Sequence, residues 1–204
     1  MKIGLLGGSF NPIHNGHLHM AKCAYQYAKL DEVWLMPTGQ SPHKDDNQMT
    51  DAVHRYAMCA CAAQSFDWLK ASDFELKSQE KNYTYRTLEQ LKECNPVHEF
   101  FFIMGGDSLD YFDKWVNPKR ICELAHILVI PRDEYDFTVM KNKAKHCNIM
   151  YDADIKVIPC ANLPISSTEI RNRFSQGYVR YTDFPLSVFD YIKEHGLYGW
   201  HESV

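Results

Sequence analysis

Residues 3–17 read IGLLGGSFNPIHNGH, and they set the architecture expected of this chain. An apolar run at residues 3–6 ends in two glycines, as a buried strand does before a tight turn. After the second histidine, apolar side chains recur with helical spacing at Leu18, Ala21, Tyr25 and Ala28. Asn15 is the predicted N-cap of this helix. The stretch therefore predicts a strand that passes through a glycine-rich loop into a helix.

The same alternation continues along the chain. Further strands are predicted at residues 32–37, 66–69, 99–105, 126–131 and 155–159. Helices are predicted near residues 50–64 and 84–94, within 108–124, and near 137–146, 167–175 and 185–195. Continuous apolar strands that alternate with helices indicate a parallel sheet with both faces covered. The predicted fold is one doubly wound α/β domain over residues 1–204.

Composition restricts the classes of partner. The chain has 204 residues, 45% of them hydrophobic, which is enough for a sizeable core. Its net charge of -4 gives no basic field for nucleic acid or a membrane surface. No apolar run has the length of a signal peptide or a membrane span, so we expect a cytoplasmic protein. The seven cysteines are scattered and are predicted to be buried, reduced thiols without a function.

Ligands of a doubly wound sheet bind beyond the carboxyl ends of its strands. Five loops follow predicted strands there, and each carries glycines, hydroxyls or basic groups: GGSFNPIHNGH, PTGQSPHK, MGGDS, IPRD and NLPISSTEIR. All five are predicted to face one edge of the sheet. A ligand site at that edge is the strongest functional signal that the pattern gives.

The first of these loops has the chemistry of a phosphate site. It lacks both the G-x-G-x-x-G and the G-x-x-x-x-G-K-[ST] spacing, but Gly7 and Gly8 allow close backbone approach. His14 and His17 are three residues apart, so both imidazoles can lie beside the positive end of a helix. Two alternatives remain: a metal pair, which has no third ligand nearby in sequence, and simple capping or surface histidines.

The loop ISSTEIR offers a second half for such a site. Ser166, Ser167 and Thr168 provide hydroxyls and a helix N-terminus, and Arg171 can contact phosphate in a bidentate manner. Alone, the S-S-T run is typical of an N-cap. Together with H-N-G-H, it favours phosphate binding.

These two motifs carry a resemblance to a known family. The pair GGSFNPIHNGHL and ISSTEIR resembles the nucleotidyltransferase superfamily with (H/T)xGH and ISSTxxR motifs. PTGQSPHK, Arg55, NYTYRTL, FFIMGGDSLDYFDKW, LVIPR and YIKEHGLY extend the similarity to bacterial nicotinate-nucleotide adenylyltransferases. The resemblance implies a Rossmann-like fold and transfer of AMP from ATP to nicotinate mononucleotide in NAD biosynthesis. It also implies Mg²⁺ as the cofactor that accompanies ATP, without a tightly bound metal that the protein itself ligates.

The resemblance also implies roles for individual residues. On the ATP side they are Gly8, Ser9, Phe10, His14, His17, Ser166, Ser167, Thr168 and Arg171, with His17 and His14 catalytic. On the acceptor side they are His43, Lys44, Tyr83, Thr84, Gly105, Asp107, Trp115 and Arg132. Trp115 would stack on the pyridine ring. The family commonly continues Arg-Pro-Gly after strand five, whereas this chain reads IPRDEYD, which leaves the role of Arg132 open.

Two other functional interpretations agree with some of these motifs. One is a related phosphopantetheine adenylyltransferase or glycerol-phosphate-type cytidylyltransferase, in which the PHK and NYTYRTL segments would have no purpose. The other is a nucleotide-binding regulatory module without turnover, against which the two intact histidines argue. The predicted partners are ATP and nicotinate mononucleotide, without nucleic acid or membrane, in a monomer or small homo-oligomer.

Overall fold

A computed structural model describes residues 1–39, 49–78, 80–131, 136–161 and 163–201. Within these ranges the strands are Lys2–Gly8 (β1), Glu32–Pro37 (β2), Leu69–Ala71 (β3), Glu99–Gly105 (β4), His126–Ile130 (β5) and Ile155–Val157 (β6). They form one parallel sheet in the order β3-β2-β1-β4-β5-β6. This is the strand order of a Rossmann-like, doubly wound domain, as predicted. The boundaries of that domain, residues 1–204, stay a prediction.

Helices connect the strands on both faces of the sheet. In the described part of the chain they are Asn15–Ala28 (α1), Ala52–Ala63 (α2), Thr84–Cys94 (α3), Gly106–Asp110 (α4), Pro118–Leu124 (α5), Phe137–Tyr151 (α6), Ser167–Phe174 (α7) and Leu186–Glu194 (α8). None of them is both long and apolar enough to cross a lipid bilayer.

The strands are apolar throughout because successive side chains enter different cores. Leu6, Leu35 and Ile103 pack with α1, α2 and α8 on one face. Leu5 and Phe102 pack with α3, α5 and α6 on the other face. A strand covered on both sides needs no polar alternation, which explains the continuous apolar runs.

Several predicted boundaries were wrong. Strand β3 pairs at Leu69–Ala71, whereas the sequence predicted residues 66–69. Phe66 and Trp68 lie in the turn before it and are apolar because they pack on the core beneath α1 and α2. The predicted cap of α1, Asn15, is its first helical residue, and His14 is the cap. The segment 108–124 divides into α4, a 3₁₀ turn at Phe112–Lys114 and α5.

The prediction that every cysteine is a reduced, buried thiol was also wrong. A disulfide joins Cys23 to Cys160 across 137 residues, with a Cα–Cα distance of 6.2 Å. Both side chains pack at the rim of the core that contains Ala21 and Ile158, which brings α1 beside the segment after β6. The other five cysteines are free, and Cys94 among them is exposed.

Candidate active site

The site lies at the centre of the sheet, where the order in which the chain adds strands reverses. β1 and β4 are neighbours at the centre, and the chain leaves β1 toward β2 on one side and β4 toward β5 on the other. The loops after these two strands therefore separate and leave a crevice, which is where open α/β sheets bind ligands. The predicted convergence of the strand-following loops is confirmed for the loops that the structure describes.

The loop after β1 is fixed by its own aromatic residue. Phe10 is fully buried and adopts a positive φ of 44°. Its ring meets the His17 ring edge-on, with 5.0 Å between centroids. A side chain at Gly8 would approach the Phe10 ring to 3.3 Å, so glycine keeps the loop close to this ring. Phe10 therefore anchors the loop in the core, while the backbone of Gly8 and Ser9 forms part of the crevice.

A buried cation, Arg55, holds the same loop from the other side. It is only 1% exposed, although it lies on the otherwise apolar inner face of α2. Its guanidinium donates to the carbonyls of Thr50, Ser9 and Thr38 at 2.9, 2.8 and 2.8 Å. A buried charge is tolerated only with such partners. Sequence reasoning gave Arg55 no role, although one arginine on an apolar helix face was a usable signal.

His14 and His17 are brought together at the start of α1. His14 is 2% exposed, and the two rings stack with 3.7 Å between centroids. The backbone N–H of His14 donates to Nδ1 of His17 at 3.3 Å. Since Nδ1 accepts this bond, the proton of neutral His17 resides on Nε2. His17 therefore offers an N–H donor at the positive end of a helix, a suitable arrangement for an anionic oxygen.

The ISST segment docks on the same loop. Ser166 occupies the N-cap position of α7 without a capping side-chain hydrogen bond, and the Ser167 hydroxyl donates to the Pro12 carbonyl at 3.0 Å. Arg171 Nη1 donates to the Asn11 carbonyl at 2.8 Å, and its Nη2 donates to the Thr168 hydroxyl at 3.3 Å. The two motifs, which are about 150 residues apart in sequence, thus form one surface.

A cavity of ≈ 280 Å³ adjoins the first loop. Its lining includes Gly8, Ser9, Tyr83, Thr84 and Trp115. Tyr83 is the N-cap of α3 and Thr84 its first residue, so the positive end of this helix borders the cavity. The volume is close to the lower end for small-molecule sites, and the lining combines a flat aromatic ring with backbone donors.

Other predicted site residues lie elsewhere. Gly105 caps α4 and Asp107 is exposed in its first turn, and neither lines the cavity, although Ser108 does. His14 and His17 line a separate, smaller depression with Ile165. His43, Lys44 and Arg132 fall outside the described residues.

Glu75 is a cavity residue that sequence reasoning missed. It is 8% exposed, and the Thr87 hydroxyl donates to its Oε1 at 3.0 Å. Burial raises the pKa of Glu75 to about 7, against the lowering effect of this hydrogen bond. The carboxyl therefore keeps its proton to a higher pH than an exposed glutamate does. Nothing in the local sequence distinguishes it from an ordinary surface glutamate, since its burial results from long-range packing.

Glu75 should make the stability of the protein depend on pH. Between its ordinary pKa of 4.5 and about 7, the folded protein retains a proton that the unfolded chain releases, so stability falls as pH rises. Above pH 7 the ionised form costs at most about 3 kcal/mol. We expect Glu75→Gln to raise Tm by several degrees at pH 8 and to change it little at pH 4.5.

The exposed Glu93→Gln variant is the matched control, because its carboxyl is not buried. Thermal unfolding of both variants at the two pH values checks the expectation. Equal shifts in Tm at pH 4.5 and pH 8 would show that ionisation of Glu75 carries no such cost.

Known proteins resemble this chain over nearly its whole length. A family model described as cytidylyltransferase-like matches residues 5–173. A probable nicotinate-nucleotide adenylyltransferase of Oceanobacillus iheyensis is 36% identical and covers 98% of this chain and 97% of its own. The relative of the same name from Clostridium tetani is 35% identical, and the match covers 97% of this chain and 98% of the relative.

Solved structures share the fold. Nicotinic acid mononucleotide adenylyltransferase of Plasmodium falciparum complexed with NaAD matches with a TM-score of 0.77 and 22% identity, over 98% of both chains. The same protein complexed with APC gives a TM-score of 0.76 and 21% identity. At this level of identity, the likeness shows a common architecture.

Proposed function

The chain belongs to the cytidylyltransferase-like family, and on this basis we propose that it transfers AMP from ATP to nicotinate mononucleotide. The products are deamido-NAD and pyrophosphate, and the reaction is a step of NAD biosynthesis. Full-length relatives at 35–36% identity bear the name of this enzyme. The observation that carries the proposal is the bond from Arg171 to the Asn11 carbonyl, which unites the H-N-G-H and ISST-R motifs in one surface.

Adenylyl transfer requires that the enzyme position the two substrates and stabilise negative charge in the transition state. The nucleophile is a phosphate monoester whose second pKa near 6 leaves it largely ionised at neutral pH, so no general base is needed. Pyrophosphate is a stable leaving group, and no covalent intermediate is required. Catalysis then consists of aligning two polyanions and stabilising charge on the α-phosphate.

The ATP side supplies donors for that purpose. We assign His17 Nε2 to the α-phosphate in the transition state, with His14 beside it. Arg171 and the start of α7 at Ser166, Ser167 and Thr168 would hold the β- and γ-phosphates. Gly8, Ser9 and Phe10 would border the nucleotide through their backbone. The fixed Nδ1 acceptor of His17 and the helix N-termini support these assignments.

The acceptor side uses the cavity. Trp115 would stack on the pyridine ring, and the N-terminus of α3 at Tyr83 and Thr84 would receive the nicotinate carboxylate. Gly105 and Asp107 would approach a ribose. His43, Lys44 and Arg132 complete the proposed set of substrate contacts.

Magnesium fits best as a companion of ATP. Mg²⁺ prefers oxygen ligands and usually binds through one or two carboxylates together with substrate phosphates. Among the described residues, the metal-type cluster is His19, Cys23 and Cys160, which is not such a set. We propose that Mg²⁺ would accompany ATP, held mainly by its phosphates, whose charge it would neutralise.

A panel of substrates tests the function. ATP and CTP are each combined with nicotinate mononucleotide, phosphopantetheine and glycerol 3-phosphate, and pyrophosphate release is measured. ATP with nicotinate mononucleotide should be the productive pair. Pyrophosphate release with another acceptor, and not with nicotinate mononucleotide, would favour a related transferase. Binding of ATP without pyrophosphate release from any of the pairs would favour a regulatory module.

Arg171→Lys should impair this reaction although it keeps the charge. Lysine lacks the planar fork that bonds Asn11 and presents two donors to phosphate. We expect kcat/KM for ATP to fall about tenfold or more, the worth of one charge-assisted hydrogen bond. Steady-state kinetics with Arg120→Lys as control checks this, since Arg120 pairs with Glu89 and Glu123 on the surface. Unchanged kinetics for Arg171→Lys would remove Arg171 from the phosphate site.

A further inference from the structure

A second cluster of reactive side chains lies beside the phosphate motifs. His19 and Cys23 are four residues apart in α1 and so lie on one face of the helix. Cys160, three residues after β6, faces them from the other end of the chain. Nε2 of His19 is 3.2 Å from Sγ of Cys160 and 3.7 Å from Sγ of Cys23. All three residues are partly exposed, so a solute can reach them.

We propose that His19, Cys23 and Cys160 form a binding site for a divalent transition metal, best matched by Zn²⁺. Two thiolates and an imidazole are ligands that Zn²⁺ prefers and Mg²⁺ does not. Their ligand atoms all lie within 4.8 Å of one another, close enough to share one ion. In the disulfide form His19 Nε2–H donates to the Ala161 carbonyl at 2.7 Å, and a metal ion on Nε2 would replace this proton. Water or the Ala161 carbonyl would fill the fourth position. This departs from the expectation that the protein itself ligates no metal.

The disulfide and the metal site are alternative states of the same two cysteines. Reduction by two equivalents of a small thiol gives two cysteine thiols and the oxidised thiol, and Zn²⁺ then displaces the two thiol protons. Two sulfurs of a tetrahedral zinc site are about 3.7 Å apart. The Cα–Cα distance of 6.2 Å permits that separation after side-chain rotation. In the disulfide form His19 Nε2 bonds the Ala161 carbonyl, and the same nitrogen lies within 3.2 and 3.7 Å of the two sulfurs that reduction would free.

Occupancy of the site would connect the two phosphate motifs. His19 lies two residues after His17 in α1, and Cys160 lies six residues before Ser166, which caps α7. An ion bound to all three ligands would tie the first turns of α1 to the segment that leads into α7. The site is thus a structural tie next to the proposed ATP contacts and is distinct from Mg²⁺ carried by ATP.

Cobalt binding gives a direct test. The purified full chain, without a histidine tag, is reduced with dithiothreitol, freed of it under anaerobic conditions, and titrated with Co²⁺ and then with Zn²⁺. We expect one equivalent of Co²⁺ to give thiolate-to-cobalt charge transfer and strong tetrahedral d–d bands, which Zn²⁺ abolishes. Cys160→Ser and His19→Ala should each weaken binding at least tenfold, because even the loss of an outer-shell partner of a metal ligand costs about that much.

Cys94→Ser is the control, because Cys94 is free and exposed in α3. Thermal unfolding of each variant verifies that it is folded, and thiol titration verifies that seven thiols are present in the reduced wild type. Absence of Co²⁺ and Zn²⁺ binding at micromolar metal by that reduced protein would overturn the proposal. So would equal loss of binding in Cys94→Ser and Cys160→Ser.

Discussion

Replacement of His17 by alanine is expected to lower kcat by about 10²–10³, the typical cost of losing one donor that acts in the transition state. The KM for ATP should change far less, because the proposed contact to the α-phosphate would strengthen only as charge develops. The bond from the His14 N–H to Nδ1 keeps the His17 proton on Nε2. His17→Ala removes this positioned donor from the N-terminus of α1.

Steady-state kinetics with saturating Mg²⁺ and nicotinate mononucleotide measures the effect. His146→Ala is the matched control, because His146 is an exposed histidine of α6. The Tm of His17→Ala, compared with that of wild type, shows whether a loss of activity comes from the missing donor or from a destabilised N-terminus of α1. A folded His17→Ala variant with kcat near that of wild type would rule out the assignment.

Nicotinate mononucleotide should be preferred over nicotinamide mononucleotide by at least about 10²-fold in kcat/KM. The N-terminus of α3 at Tyr83 and Thr84 borders the cavity, and its backbone donors can satisfy both oxygens of a carboxylate. A carboxamide has one acceptor, and its NH₂ group would face donors. Each buried group left unsatisfied costs roughly 1–3 kcal/mol.

Variants at the cavity separate stacking from carboxylate recognition. Trp115→Ala should weaken both mononucleotides similarly, because the two rings present the same face to the indole. Changes at Tyr83 or Thr84 that disturb the backbone should narrow the preference. Equal efficiency with the two mononucleotides in the wild type would reject this account of the acceptor site, while leaving adenylyl transfer intact.

The features predicted from the sequence depend on local patterns. Glycines after an apolar run, histidines at a helix entrance and a serine-rich cap each have a short-range physical meaning. Strand-following loops of a parallel sheet share one edge, so those signals also predicted which loops would meet. The contact of Arg171 with Asn11, 160 residues away, agrees with that prediction.

Features created by distant packing were missed. Glu75 lines the cavity and accepts a hydrogen bond from Thr87 of α3, a contact that the sequence around Glu75 does not indicate. The role of Arg55 depends on three carbonyls from separate segments. The i, i+4 spacing of His19 and Cys23 was visible, but its partner Cys160 is 137 residues beyond Cys23. Short strand β3 was misplaced because apolar turn residues resemble a strand when only composition is considered.

Isotope labelling of the acceptor examines the proposed reaction itself. Nicotinate mononucleotide with ¹⁸O at all three non-bridging phosphate oxygens is incubated with ATP, Mg²⁺ and the protein. Mass spectrometry then measures the masses of the products. Direct attack of the monoester on the α-phosphate predicts deamido-NAD that retains all three labels and pyrophosphate that carries none. Label in pyrophosphate, or the absence of any dinucleotide product, would contradict AMP transfer from ATP to nicotinate mononucleotide.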